Sequence, residues 1–255
     1  MSKNFELMQQ SGKDQEFRPA RKAEPSPVSF GNGGGNGHHA ANGSDLDQLA
    51  GEEALRLVQR VFLLQAQEPP HMVAFAGIDH GNGVSRICVR VAETLAKNIK
   101  GSVCLVEANL RSPALPEMFG TTNHHGLTDA LLQDGPIRWF TKPVRGDNLW
   151  LLSSGALAAD SAKLLNSERL KARLAELRKE FDFVLIDAPP LTRYSDAIGL
   201  GQMTDGFILV LEANSTRREA ALQVAEGLRA ASIRILGAVL NKRTFPIPET
   251  LYNRL

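Results

Sequence analysis

The segment HMVAFAGIDHGNGVSRICVRVAETLAKNIKG (71–101) changes character twice. HMVAFAG (71–77) is short, apolar and unbroken, as a strand buried on both faces is. VSRICVRVAETLAKNIKG (84–101) reads as a helix ended by Gly101. Between them, DHGNGVSR (79–86) puts two glycines at a strand-to-helix junction, the setting of a turn that wraps phosphate. Aligned with G-x-x-x-x-G-K-[ST], Gly83 is the second glycine and Ser85 keeps the hydroxyl. Val84 stands at the lysine position and Ile78 at the first glycine, with Gly77 one residue early.

The chemistry of such a loop separates into parts. Backbone N–H groups around Gly81, Asn82 and Gly83, with those of Val84, Ser85 and Arg86 in the first helical turn, attract phosphate oxygens without any side chain. The Ser85 hydroxyl is a Mg²⁺ ligand in this pattern. A lysine neutralises charge building on the β- and γ-phosphates, and valine does not. Losing one such electrostatic donor costs on the order of 10²–10³ in rate. Asp79 adds a negative charge to the turn, and Arg86 a positive one close to the place of an α-phosphate. Taken alone, the loop reads equally as a glycine-bearing turn with no ligand.

The alternation of strand and helix continues outward. EEALRLVQRVFLLQ (52–65), with Ser44 and Asp45 as caps before it, places Ala54, Leu57, Val61 and Leu64 on one helical face and ends at the prolines 69–70. SVCLVEA (102–108) is the next strand; a short helix near LTDALLQ (127–133) and a strand near NLWLLSSG (148–155) follow. SERLKARLAELRKEF (167–181) is an amphipathic helix opened by Ser167, and FVLIDAPP (183–190) a strand broken by two prolines. GFILVLE (206–212) and IRILGAVLN (233–241) are strands around the helix TRREAALQVAEGLRAA (216–231). Short apolar strands alternating with helices specify an α/β fold, a mostly parallel sheet with helices on both faces.

Composition bounds the function classes. The chain has 255 residues and a formal net charge of +1, which gives no electrostatic reason to expect nucleic acid as a partner. Residues 1–45, with GNGGGNGHHAANG (31–43), are too polar and glycine-rich to offset their chain entropy, so a disordered tail is expected there and a single domain over 46–255. His38 and His39 in that tail, and His124 and His125 later, lack the cysteines that would make a metal site. Cys88 and Cys104 lie on apolar elements as structural thiols. The first residues have no apolar core of a signal peptide, and no apolar run approaches about 18 residues, so the expected compartment is the cytoplasm.

Two further strand ends carry polar groups, where ligands gather in parallel α/β sheets. FVLIDAPP ends on Asp187, placed to help hold Mg²⁺. VCLVEANLRSP sets Glu107, Asn109 and Arg111 at or beyond another. With these stretches the chain resembles the cytoplasmic kinase domain of the bacterial tyrosine kinases (BY-kinases) of capsule and exopolysaccharide synthesis, within the wider group of MinD/ParA-type P-loop ATPases. HGNGVSR (80–86) matches the family's phosphate loop, P-G-E-G-K-[ST]-[ST]. CLVEANLRSP (104–113) matches its apolar run and D-x-D-L-R-x-P. LIDAPPLTRYSDA (185–197) matches I-D-x-P-P followed by S-D-A.

The resemblance implies ATP or ADP with Mg²⁺ as cofactor, with Ser85 and Asp187 at the metal. It implies catalytic positions at Glu107, Asn109 and Asp187, and places Asn241 in AVLNKR near an adenine ring, a capped strand end being the alternative. Three catalytic positions depart from the pattern: Val84 for lysine, and Glu107 and Asn109 for two aspartates. The family's tyrosine-rich tail is reduced here to Tyr194 and Tyr252. Its E-x-x-R-x-x-R oligomer helix keeps Glu53 and Arg56 but has Gln59 in the third place, beside Arg60. The resemblance therefore leads to a catalytically impaired protein with weak or lost nucleotide binding. It would be the regulatory partner of a separate membrane chain-length or co-polymerase protein, peripheral to the inner membrane through it, with homo-oligomerisation through helix 52–65 open. The alternatives are an active tyrosine kinase or ATPase rescued by Arg86, Arg111 or a partner's cation, and a MinD/ParA-like positioning ATPase.

Overall fold

A computed structural model describes residues 43–64, 69–156, 161–192 and 196–242. The expected tail, His38, His39, Tyr194, Tyr252 and the capping side chains of Ser44 and Asp45 lie outside the described residues.

The chain enters on helix α1 (Gly43–Val58), continued by a π-helical turn (Gln59–Leu63). Strand β1 (Met72–Gly77) then leads through the glycine loop into α2 (Val84–Asn98) and β2 (Val103–Glu107). Two short helices, α3 (Leu115–Met118) and α4 (Leu127–Leu132), and a 3₁₀ turn (Ile137–Phe140) precede the hairpin of β3 (Lys142–Arg145) and β4 (Leu149–Leu152). After it come α5 (Ser161–Leu165), α6 (Glu168–Glu180), β5 (Phe183–Asp187), α7 (Asp196–Gln202), β6 (Gly206–Glu212), α8 (Arg218–Ala230) and β7 (Ile235–Asn241). Ser167 opens α6 as expected, its Oγ accepting the Leu170 N–H at 3.2 Å.

Among the described residues seven strands form one sheet in the order β3-β4-β2-β5-β1-β6-β7, all parallel except β3, which pairs antiparallel with β4 at the edge. KPVR (142–145) alternates half-buried and exposed side chains and contains Pro143, which an edge strand tolerates. Its weak apolar pattern kept it out of the sequence-based strand set.

Side chains alternate cleanly between two apolar layers. Met72, Ala74, Cys104, Val106, Val184, Ile186, Phe207 and Leu209 pack toward α4–α8. Val73, Phe75, Leu105, Leu185, Ile208, Val210 and Val239 pack toward α1 and α2. Because a strand has a period of two, the residue two beyond Leu105, Leu185, Val210 and Val239 points to the α2 side as well. Those residues are Glu107, Asp187, Glu212 and Asn241. One face of the carboxyl edge thus collects four polar side chains around the start of α2.

The face drawn for the first helix needs one correction. Ala54, Leu57 and Val61 are buried, but Leu64 is 70% exposed, and Val58 and Phe62 take the inner positions. The physical reason is the π turn: the Leu64 N–H donates to the Gln59 carbonyl, an i→i+5 bond that widens the turn and rotates Leu64 outward. The end of α2 also differs. Asn98 is its last residue and Ile99 is already extended, so Gly101 is not the stop. A Cβ at Gly101 would lie 2.8 Å from the Asp182 carboxylate, which accepts the Ser102 N–H and closes that corner.

Candidate functional site

The loop after β1 is shaped by its own sequence. Gly81 and Gly83 have φ of +87° and +83°, the left-handed region open to glycine. A Cβ on Gly77 would meet Asn82 Oδ1 at 2.9 Å and Val84 Cγ2 at 3.1 Å, so the early glycine admits the loop against the strand end. Asn82 is buried, its Oδ1 accepting the Asp79 N–H at 2.8 Å. Helix α2 begins at Val84, and its first N–H returning to the loop is that of Ile87, on the Gly83 carbonyl. The amides of Val84, Ser85 and Arg86 precede that bond, as the free donors of a helix start do.

Beside this loop lies a cleft of about 470 Å³. Gly81, Gly83, Val84, Ser85, Arg86, Asn109, Asp187 and Asn241 line it together, from four segments of the chain. His80, Ser112, Met118 and Lys242 also line it. The sequence reading passed over Lys242, although it follows Asn241 directly in AVLNKR and the strand-end rule pointed there.

Asp187 is 1% exposed, and neither carboxylate oxygen has a hydrogen-bond partner among the described residues. Burial pushes its pKa up to about 7; the Ser85 hydroxyl beside it lowers it, and the Glu107 charge raises it further. Glu107 sits opposite Asp187 in the parallel register and is fully buried. Its Oε1 accepts the N–H groups of Ala114 (2.6 Å) and Leu115 (3.0 Å), fastening the loop that opens α3, while Oε2 has no hydrogen-bond partner among the described residues. Burial pushes Glu107 to about 7 as well, against the pull of those two amides and of the Ser154 amide. Glu107 therefore lies behind the cleft wall, and Asn109 reaches the cleft in its place.

Two residues named from sequence stand apart. Arg111 is directed at Asp196, with Nη1 2.7 Å from Oδ2, tying the loop after β2 to the start of α7. Asn82 braces the loop from beneath rather than lining the cleft. Cys88 and Cys104 are free and buried, and burial raises both thiol pKa values, as structural thiols require.

The donor set fits a Mg²⁺-nucleotide. Buried carboxylate oxygens without partners call for a cation, and the turn with its two left-handed glycines presents amides to an anion. Among the described residues no three His, Cys, Asp or Glu side chains cluster as an all-protein metal site. Mg²⁺ suits that arrangement, since it is commonly held by one or two carboxylates together with phosphate oxygens and water.

No family model matches the chain. Tyrosine-protein kinase YwqD of Bacillus subtilis is 32% identical over 161 residues, 63% of this chain and 68% of YwqD. Tyrosine-protein kinase Wzc of Salmonella typhi is 28% identical over 189 residues, 74% of this chain but 26% of Wzc, so the chain spans about a quarter of that relative. Among solved structures, the VpsO kinase domain matches with a TM-score of 0.70 and 27% identity, over 78% of this chain and 99% of that one. The septum site-determining protein MinD of Pyrococcus horikoshii, solved with Mg-ADP, shares the fold at a TM-score of 0.58 and 21% identity, over 72% of this chain and 76% of MinD. With 32% identity to YwqD over two thirds of that protein's length, the chain belongs to the family of bacterial tyrosine-protein kinases.

Proposed function

We propose that the cleft binds a Mg²⁺-nucleotide and turns it over slowly or not at all. The chain then works as a nucleotide-responsive partner of a separate membrane chain-length or co-polymerase protein in capsule or exopolysaccharide synthesis, held at the inner membrane through it. One observation carries this reading: the loop glycines, Ser85 and Asp187 line one cleft, whereas Val84 and Asn109 stand where the resembling pattern has groups that supply charge to the reaction. Phosphoryl transfer is almost wholly positioning and electrostatic stabilisation, so such losses fall on rate more than on affinity.

The loop amides and the start of α2 would take the phosphates, and Ser85 and Asp187 would hold Mg²⁺. When bound, Mg²⁺ supplies positive charge between the phosphate oxygens and Asp187. Asp187 must be ionised for this, and Glu107 keeps the neighbouring loop closed. Asn109 offers an amide where a carboxylate would accept a proton from an attacking hydroxyl.

A second reading, an active tyrosine kinase or ATPase, is favoured by two cations at the cleft, Arg86 and Lys242. Titration calorimetry of the full chain with ADP and ATP, with and without Mg²⁺, alongside a turnover assay, separates the two. The expected result is Mg²⁺-dependent binding, little hydrolysis, weaker binding in Asp187→Ala, and a gain of about 10²-fold in turnover in Val84→Lys. Turnover in the wild type at the level of Val84→Lys would establish the active reading. Binding indifferent to Asp187→Ala would overturn the assigned site.

A further inference from the structure

The glycine loop is held from one side by the ends of β6 and β7. Asn241 Nδ2 donates to the Asn82 carbonyl at 2.8 Å, and Lys242 Nζ donates to the Gly81 carbonyl at 2.7 Å. Glu212 joins the two: its Oε1 lies 3.2 Å from Lys242 Nζ, and its Oε2 accepts Asn82 Nδ2 at 3.3 Å. Asn241 also fills the space above Gly83, where a Cβ would stand 2.4 Å from its Nδ2.

Two consecutive loop carbonyls are thus pinned toward the strand ends. A trans peptide is planar, so its N–H points opposite to its C=O. Pinning the carbonyls of Gly81 and Asn82 therefore turns the N–H groups of Asn82 and Gly83 away from the clamp. Together with the positive φ of Gly81 and Gly83, this is the arrangement of a backbone nest, whose successive N–H groups form an anion-binding concavity. It is reached with a valine at position 84.

We infer that Glu212, Asn241 and Lys242 are positioning residues that hold loop 79–83 in its anion-accepting shape before a phosphate chain arrives. The role assigned to the clamp in binding rests on the nucleotide reading of the cleft; the shape of the loop does not. A loop already formed binds with its full intrinsic affinity, whereas one formed only part of the time binds in proportion to that fraction. Asn241 then acts first on the loop, and only through it on a ligand.

The test uses the full chain as wild type, Asn241→Ala, Lys242→Met and Lys242→Arg. Amide hydrogen exchange is followed without ligand at Asp79 and Ile87, whose N–H groups are bonded to Asn82 Oδ1 and to the Gly83 carbonyl, and Mg-ADP affinity is measured by calorimetry. Losing one loop hydrogen bond, neutral in Asn241→Ala and charge-assisted in Lys242→Met, supports an exchange rate in the loop roughly tenfold faster in either variant. Protection of β1 and β5 stays unchanged, Lys242→Arg restores the loop, and Mg-ADP affinity falls in proportion to the formed fraction of the loop that the exchange reports. Unchanged loop exchange in both variants overturns the clamp. Lower affinity with unchanged exchange also overturns it, because the side chain would then touch the ligand directly. Faster exchange in a protein whose wild type binds no Mg-ADP supports the clamp and removes the nucleotide reading instead.

Discussion

Asp187 and Glu107 put two carboxyl groups at register-paired strand ends, each raised to about 7 chiefly by burial. The consequence for stability runs opposite to that of a salt-bridged carboxylate. Below about pH 3 both groups are protonated in folded and unfolded chains alike. As pH rises from there to about 7 the unfolded chain ionises first and holds fewer protons, so stability falls through that window and levels above it. Asp187→Asn is expected to raise the melting temperature by about 5 °C at pH 8, with the gain fading toward pH 4; thermal melts at both values check it. Ligand binding has the complementary dependence. A carboxylate that must be ionised to hold Mg²⁺ makes Mg-nucleotide affinity rise between pH 6 and 8, and calorimetry in buffers of different ionisation enthalpy should show proton release at pH 6. Val84 differs in kind from these two: its side chain packs toward Gly77 and the apolar layer, and brings no charge to either dependence.

At the scale of elements, the glycine loop and the strand ends act as one unit. Gly81 and Gly83 share a left-handed backbone, but their surroundings differ. A Cβ on Gly81 meets nothing within 4 Å, while one on Gly83 runs into Asn241. Gly81→Ala should therefore cost about 1–2 kcal/mol of backbone strain and weaken binding modestly. Gly83→Ala adds displacement of Asn241 and should abolish measurable Mg-ADP binding; melts and calorimetry on the two variants compare them. If the two behave alike, Asn241 does not cover Gly83 in solution. The first helix shows the other way elements depart from pattern. Its heptad-like spacing extends through Leu64, yet one π turn shifts the inner face to Val58 and Phe62. Periodicity in sequence assumes a constant turn, and nothing in QRVFL announces the wider one.

At the scale of the whole molecule, strand order explains why one cleft gathers residues 100 and more positions apart. With β1 between β5 and β6, the loop after β1 is flanked by Asp187 on one side and by Glu212 and Asn241 on the other. Helix α1 covers α2 on the opposite side from α4–α8, leaving the charged residues Arg56 and Arg60 exposed. Arg56 Nη1 reaches Glu53 Oε1 at 2.7 Å within the same helix. If this helix forms the oligomer proposed from the family pattern, light scattering should find an assembly in the wild type and a smaller species in Arg56→Glu with Arg60→Glu. A monomer in both would leave that face as a solvated one.

How much of this was legible beforehand follows from range. The strands, the main helices, the parallel sheet and the phosphate loop could be read from sequence because local periodicity and turn chemistry write them into contiguous residues. The same holds for Ser85, Asp187 and Asn109, which sit at predictable distances from the ends of apolar strands. Other features depend on neighbours remote in the chain. Glu107 is occupied by the amides of Ala114 and Leu115, Arg111 by Asp196, and the loop by Glu212 and Lys242, some 130–160 positions away. The edge strand β3 exists only because β4 offers it a partner. Sequence alone determined the kind of sheet and the residues at its carboxyl edge, since both follow from period and burial. Only the tertiary structure decided which of those residues face the cleft and which hold the loop, because that choice is made by hydrogen bonds between strands whose adjacency no local pattern specifies.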